Sequence, residues 1–151
     1  MDSTTRLVYQ DQSGNLAVVV PAPDFLDSTN GTMDKLVNDS IPIGTQYHVV
    51  SSDLIPSDRY FRGAWTIDDG TKINVDLIKA RKIHLDNLRI IRNEKLNALD
   101  IIFMQALEKK DGSELVISQK KQKLRDMPQS INLDAITDVE TLKNFMPDIL
   151  T

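Results

Sequence analysis

The longest stretch without a helix breaker runs from Asp76 to Lys110, which contains neither glycine nor proline. Apolar side chains recur along it at helical spacing: Ile78, Leu85, Leu88, Leu96, Leu99, Phe103 and Ala106. At about 100° per residue they fall within a band roughly 80° wide, as on the buried face of an amphipathic helix. The stretch therefore predicts one helix of about nine turns, roughly 50 Å long. In a chain of 151 residues, such a helix leaves room for one domain or two small units.

A second helix is predicted directly after the first. Asp111-Gly112 ends the long helix, and Ser113 is a candidate N-cap for a helix over Glu114–Met127. Three apolar residues lie on one side of it: Val116, Leu124 and Met127. Pro128 is expected to end this helix.

A short third helix is predicted over Val139–Met146. Thr137 and Glu140 have the spacing of a capping box, and Pro147 is a stop signal. Residues 76–151 are therefore expected to form a helical hairpin with a C-terminal helical tail.

The first half of the chain has a different pattern, with five of the six glycines and four of the six prolines. Short runs of β-forming residues predict strands over Leu7–Gln10, Leu16–Val20, Gln46–Val50, Trp65–Ile67 and Lys72–Val75. The first two and the last two make hairpins. Residues 24–45 look loop-like, apart from a short helix over Met33–Asn38 capped by Thr32. The fold class is therefore α+β, with a small antiparallel β module at 1–75 before the helices at 76–151.

Composition limits the partners. The chain has 18 Lys plus Arg against 22 Asp plus Glu, a net charge of −4, and no cysteine. An acidic chain has no general attraction for phosphate backbones, so nucleic acid is not expected as a partner. The longest apolar run, Leu16–Val20, is too short to cross a bilayer, and the first residues do not resemble a secretion signal. We therefore expect a soluble protein without a membrane partner.

The sequence contains few candidates for catalytic residues. Two histidines are present, His48 and His84, and neither lies in a recognisable motif. Asp68-Asp69 precedes Gly70, as a hairpin turn requires. Glycine-rich phosphate loops, serine-nucleophile elbows and zinc-helix motifs are all missing from the sequence. The sequence therefore predicts no catalytic, cofactor-binding or metal-binding residues and a protein that is not an enzyme; a hydrolase with a carboxylate site is the third-ranked alternative.

Aromatic residues concentrate between Asp58 and Trp65, where arginines alternate with them: Arg59, Tyr60, Phe61, Arg62 and Trp65. Phe61 and Trp65 could be core residues of the sheet. The same cluster could grip a partner protein, because aromatic and arginine side chains dominate interface energetics. A third interpretation, stacking on bases, fits poorly with the acidic surroundings.

Two arginines, Arg81 and Arg92, fall inside the apolar stripe of the long helix. An unpaired buried charge is costly, so each needs a partner or must extend past the core edge into water. Asp126 on the returning helix is one candidate partner.

The long helix carries a second apolar line on its other side. Ile83, Ile90, Asn97 and Met104 are seven residues apart, and Ile101 joins them. A helix buried on two sides needs two partners, here the second helix and either the β module or another chain, with Asn97 setting register. Polar residues at the companion positions, Asp86, Asn93 and Asp100, do not support a sustained coiled coil. A homo-oligomer therefore remains open.

Several segments, taken in order, resemble small proteins encoded in the tail gene clusters of tailed bacteriophages and prophages. They are Val20-Pro21-Ala22-Pro23, Ile41-Pro42-Ile43-Gly44-Thr45-Gln46-Tyr47, Pro56-Ser57-Asp58-Arg59-Tyr60-Phe61-Arg62-Gly63-Ala64-Trp65 and Lys79-Ala80-Arg81-Lys82-Ile83-His84-Leu85-Asp86. The hairpin end, Lys123-Leu124-Arg125-Asp126-Met127-Pro128-Gln129, is similar to helical modules of tail fibre assembly and tail assembly chaperone-like proteins.

The resemblance implies a non-enzymatic phage tail protein, either a fibre- or baseplate-associated adaptor or a fibre assembly factor. It would lie in the virion tail, or in the host cytoplasm during assembly, with other tail proteins as partners. The alternative is a phage regulatory protein that binds and modulates a host protein. Nine residues are predicted to bind the partner: Arg59, Tyr60, Phe61, Arg62, Trp65, Ile83, Ile90, Asn97 and Met104.

Overall fold

Small antiparallel sheets lie in the first half of the chain and two long helices follow them, so the fold is α+β as the sequence predicts. The computed structural model describes residues 2–151. It divides into two compact units, a first unit that ends at Ala80 and a helical unit over Arg81–Thr151. The division falls five residues after the expected boundary at residue 75.

A three-stranded antiparallel sheet forms the start of the first unit. Strands β1 (Thr5–Gln10), β2 (Leu16–Val19) and β3 (Tyr47–Ser51) take the order β2-β1-β3. The β1–β2 turn is held by Asp11, whose Oδ1 accepts hydrogen bonds from the Ser13 and Asn15 amides at 2.8 and 2.9 Å. The predicted first hairpin is confirmed.

The segment between β2 and β3 holds two helices, α1 (Pro23–Asp27) and α2 (Met33–Ser40). Helix α2 begins as predicted, with Thr32 Oγ1 accepting a hydrogen bond from the Lys35 amide at 3.3 Å. The prediction of a loop at residues 24–32 is wrong where α1 forms. Pro23 presets a helical φ at the start of this helix, and the helix is a single turn, too short for apolar periodicity to reveal it.

A second hairpin, β4 (Trp65–Ile67) and β5 (Ile73–Val75), forms a separate two-stranded sheet. Asp69 closes its turn by accepting hydrogen bonds from the Thr71 hydroxyl and amide, which lower the pKa of Asp69. At Gly70, φ is +80° and a Cβ would lie 2.7 Å from His48 Nδ1, so only glycine fits. The two sheets share one buried cluster: Val8, Leu16, Val50, Trp65 and Ile73.

Two long helices follow, α3 (Leu77–Lys109) and α4 (Glu114–Ser130). Asp76 caps α3 by accepting a hydrogen bond from the Ile78 amide at 2.8 Å. The connecting turn uses positive φ at Lys110 and Gly112. The prediction that Ser113 caps α4 is wrong for its side chain. The Ser113 hydroxyl instead donates to Asp111 Oδ1 at 2.6 Å.

The expectation that Pro128 ends the second helix is wrong, since α4 continues through it to Ser130. Pro128 lacks an amide donor and its ring crowds the carbonyl four residues earlier, but the helix continues for only two residues beyond it, next to the buried Met127. The helix α5 (Val139–Asn144) is two residues shorter than predicted. Its cap is Asp138 rather than Thr137, with Asp138 Oδ2 accepting a hydrogen bond from the Thr141 amide at 2.8 Å.

The core of the helical unit consists of Leu88, Leu124, Met127 and Leu150. Two residues expected on buried faces are exposed, Ile78 at 72% and Val116 at 54%. Near the start of α4 the buried residue is Ile117 rather than Val116. Ile117 points within about 20° of the direction of Leu124, whereas Val116 points about 80° away from it.

Candidate docking surface

The α3 helix carries exposed apolar side chains on the side opposite its core. Ile90, Ile101 and Met104 are 59%, 63% and 57% exposed, whereas Leu88 and Ala106 of the same helix are buried. We call Ile90, Asn97, Ile101 and Met104 the α3 stripe. At about 100° per residue, all four point within roughly 60° of one another and away from Leu88.

The α3 stripe extends about 21 Å from Ile90 to Met104 at a rise of roughly 1.5 Å per residue. Asn97 is exposed in its middle, while Ile83, one heptad before Ile90, is half-buried. Other exposed apolar side chains of the two helices lie outside the α3 stripe: Ile102, Leu107, Leu115 and Val116. Exposed apolar residues are common singly, but a line of them on one helix face is typical of an interaction surface.

Polar contacts fix α4 against α3 next to this surface. Lys121 of α4 forms an ion pair with Asp100 of α3. The same ammonium group lies 4.9 Å from the centroid of the Phe103 ring, and only 14% of the Lys121 side chain is exposed. At the turn, hydrogen bonds from the Ser113 hydroxyl and amide lower the pKa of Asp111. The α3 stripe therefore lies on a helix that contacts with α4 hold in place.

Arg81 and Arg92, which fall among the core-facing apolar residues of α3, have different surroundings. Arg81 Nη2 donates to the main-chain oxygens of Asp134 and Ile136 at 3.1 and 2.8 Å, and Arg81 Nη1 lies 3.8 Å from the Asp134 carboxylate. Arg92 donates to Asn93 Oδ1. Asp126 is thus not the partner, because it accepts a hydrogen bond from Gln122 within its own helix. Arg81 instead attaches the segment after α4 to the long helix.

His84 makes the second such attachment. It is 2% exposed, and its Nε2 lies 2.9 Å from the main-chain oxygen of Phe145. Burial lowers the pKa of His84, and the contact with Phe145 opposes that shift. The buried imidazole therefore helps to position the segment after α5.

The aromatic cluster of the first unit is divided between core and surface. Phe61 and Trp65 are only 4% and 3% exposed. This corrects the expectation that they present themselves to a partner, because an apolar ring enclosed by its own sheet is unavailable for docking. Arg59 and Arg62 are exposed, and the half-buried Tyr60 packs edge-on against Phe61 with ring centroids 4.7 Å apart. Only the polar members of the cluster and part of Tyr60 reach the surface.

Within residues 2–151, no three His, Asp or Glu side chains come together in a way that could hold a metal ion. Across the same residues, no helix combines the length and apolar character that a membrane span requires.

Comparison with family models, curated proteins and solved structures finds no match to this chain.

The fold brings together a cluster of lysines that the sequence pattern did not predict. Lys95 of α3 and Lys120 and Lys123 of α4 surround an open apolar groove. The run Lys120-Lys121-Gln122-Lys123-Leu124-Arg125 in an acidic chain was the available signal. Its relation to Lys95 depends on how α4 folds back along α3, which periodicity does not determine.

Proposed function

We propose that this protein is a non-enzymatic bacteriophage tail protein that works by docking, with the α3 stripe as its docking face. The observation that carries the docking proposal is the exposure of Ile90, Ile101 and Met104 on the side of α3 opposite its own core. The phage setting is supported by the sequence resemblance alone.

The shape of the stripe favours a helix as the partner element. Residues spaced by three, four and seven form a straight apolar ridge, which fits into the groove of another apolar helix. Asn97 in the middle would then favour one register, because a polar group in an apolar contact is best satisfied by a polar group opposite. We therefore propose an apolar helix face of a fibre or baseplate protein as the occupant.

Phe61 and Trp65 are left out of this proposal because they are buried. Arg59, Arg62 and Tyr60 could contribute a separate contact only through their exposed atoms. The proposal thus depends on the helical unit rather than on the first unit.

The test is to purify phage particles from cells that carry the gene with an Ile101→Asp change and to quantify the protein in the particles and in the lysate by mass spectrometry. The matched control is Ile102→Asp, since Ile102 is also exposed but points about 100° away. An adaptor is expected in wild-type and Ile102→Asp particles and lost from Ile101→Asp particles. An assembly factor is expected to be absent from all particles while only Ile101→Asp lowers the yield of fibres.

If both variants leave incorporation and fibre yield unchanged, the docking proposal fails. If the protein instead co-purifies with a host protein and never affects particles, the regulatory alternative replaces the tail assignment. The folded state of each variant is checked by its helical circular dichroism.

A further inference from the structure

An open groove of about 420 Å³ lies within the helical unit, between α3, α4 and the 3₁₀ turn Asp148–Leu150. Four apolar residues line it, Ala98, Leu99, Leu124 and Ile149. Three lysines line it as well, Lys95, Lys120 and Lys123, and we call them the rim lysines. We call it the lysine groove.

Four cations of the chain each form an ion pair with a carboxylate: Lys35, Arg81, Arg89 and Lys121. Among residues 2–151, by contrast, no carboxylate lies in ion-pair contact with Lys120 or Lys123. Lys95 Nζ donates only to the main-chain oxygen of Thr151 at 3.2 Å. Lys120 and Lys123 therefore offer positive charge that no carboxylate of the described residues neutralises.

This concentration of charge is local. Residues 120–125 contain four basic and no acidic residues, in a chain with a net charge of −4. Like charges along one helix turn repel each other, and an incoming carboxylate relieves that repulsion. The adjacent apolar walls favour an apolar side chain, because water leaves both surfaces on contact.

From these two properties together we infer that the lysine groove receives an acidic amphipathic segment of a partner protein, with an apolar side chain inside the groove and Asp or Glu side chains on the rim lysines. The groove is not enclosed, so a side chain of a partner segment can enter it from outside.

This inference goes beyond the proposed function and uses a different face of the helix. Leu99 in the groove and Ile101 in the α3 stripe are two residues apart and so point about 160° away from each other. The two surfaces can therefore be removed independently.

Fluorescence anisotropy with the full chain tests the inference. The probe is a labelled 18-residue helical peptide with leucines on one face and glutamates on both flanks, and the comparison peptide has glutamine in place of every glutamate. We expect the acidic peptide to bind, with affinity falling several-fold as salt is raised from about 50 to about 500 mM. The glutamine peptide is expected to bind at least about tenfold more weakly.

Two variants locate the contact. Lys120→Glu with Lys123→Glu should weaken binding of the acidic peptide at least about tenfold. Ala98→Trp, which fills the groove without altering its charge, should also abolish binding. The matched control, Lys82→Glu with Lys109→Glu, makes the same net charge change at exposed lysines of α3 outside the groove and should leave binding unchanged. Ile101→Asp should leave it unchanged too, which separates this outcome from failure of the docking stripe.

The inference is overturned if the acidic peptide does not bind, if it binds equally to the groove variants and the control, or if the glutamine peptide binds as well. It is also overturned if a fatty acid such as myristate occupies the groove in competition with a fluorescent probe while the acidic peptide does not, since the ligand would then be a small amphiphile.

Discussion

The first unit encloses the two rings at the centre of its aromatic cluster, whereas the helical unit leaves a line of apolar side chains on α3 in water. Phe61 and Trp65 of the first unit are under 5% exposed, while Ile90, Ile101 and Met104 of the helical unit are over 55% exposed. The difference follows from geometry: two small sheets can share one core, but a pair of helices covers only one side of each helix. Phe61 and Trp65 therefore stabilise the fold of the first unit, whereas the α3 stripe of the helical unit remains available for binding.

The largest expected effect is in the sheets. Trp65→Ala should destabilise the first unit by about 3–5 kcal/mol, because it leaves a cavity in the cluster that joins both hairpins. Amide hydrogen exchange of β1 and β3 measures this. The control is Tyr47→Ser, at an exposed position of β3, for which we expect a change within about 0.5 kcal/mol. Unchanged protection in Trp65→Ala, combined with loss of partner binding, would return Trp65 to the docking surface.

The next effect compares two faces of α3. Leu88→Ala should cost about 2–5 kcal/mol in the free energy of unfolding of the helical unit, since Leu88 is 1% exposed. Ile101→Ala, at a 63% exposed position, should cost no more than about 0.5 kcal/mol. Urea denaturation followed by circular dichroism provides both values. Equal costs would mean that the α3 stripe is packed rather than free.

A pH effect should appear in the helical unit. Because burial lowers the pKa of His84 below 6.5, the unfolded chain binds a proton on this residue more readily than the folded chain does. The free energy of unfolding of the unit should therefore keep its full value above about pH 6.5. It should decrease as the pH falls from there towards the folded-state pKa of His84. Urea midpoints between pH 5 and 7.5 measure the slope, and His84→Gln should flatten it. An unchanged slope in that variant would exclude His84 as its source.

The smallest effect concerns the ion pair between α3 and α4. Asp100→Asn should lower the stability of the helical unit by up to about 1 kcal/mol, because the pair is partly exposed. The difference from wild type should shrink in about 1 M salt. A loss of several kcal/mol would show that this pair, rather than the apolar contacts, holds the hairpin together.

Local patterns predicted most of the elements. The turn residues around Asp11 and Asp69 identified both hairpins, and the unbroken run after Asp76 identified α3. Such features depend on neighbouring residues alone. The prediction for Pro128 is wrong because this proline lies in the last turn of α4, where few residues follow it, and sequence alone does not show how far a helix extends past such a residue.

Properties that depend on distant contacts could not be predicted from sequence. The arginine–aromatic pattern at 59–65 is compatible with both core and interface, and only the packing of the second hairpin on the first decides that Trp65 is buried. Arg81 donates to the main-chain oxygens of Asp134 and Ile136. Every residue has a main-chain oxygen, so the sequence does not indicate which of them Arg81 contacts. Of the predicted partner-binding residues, the α3 positions Ile90, Asn97 and Met104 are the ones that the fold leaves exposed along one line.

The central claim is that the α3 stripe contacts another tail protein. The most direct measurement is photocrosslinking in phage-producing cells with a benzophenone amino acid at position 101, compared with the same group at position 102. The account predicts a crosslinked fibre or baseplate protein from position 101 and none from position 102. Equal crosslinking from both positions, or a product from position 101 that contains only a second copy of this chain or a host protein, would contradict it.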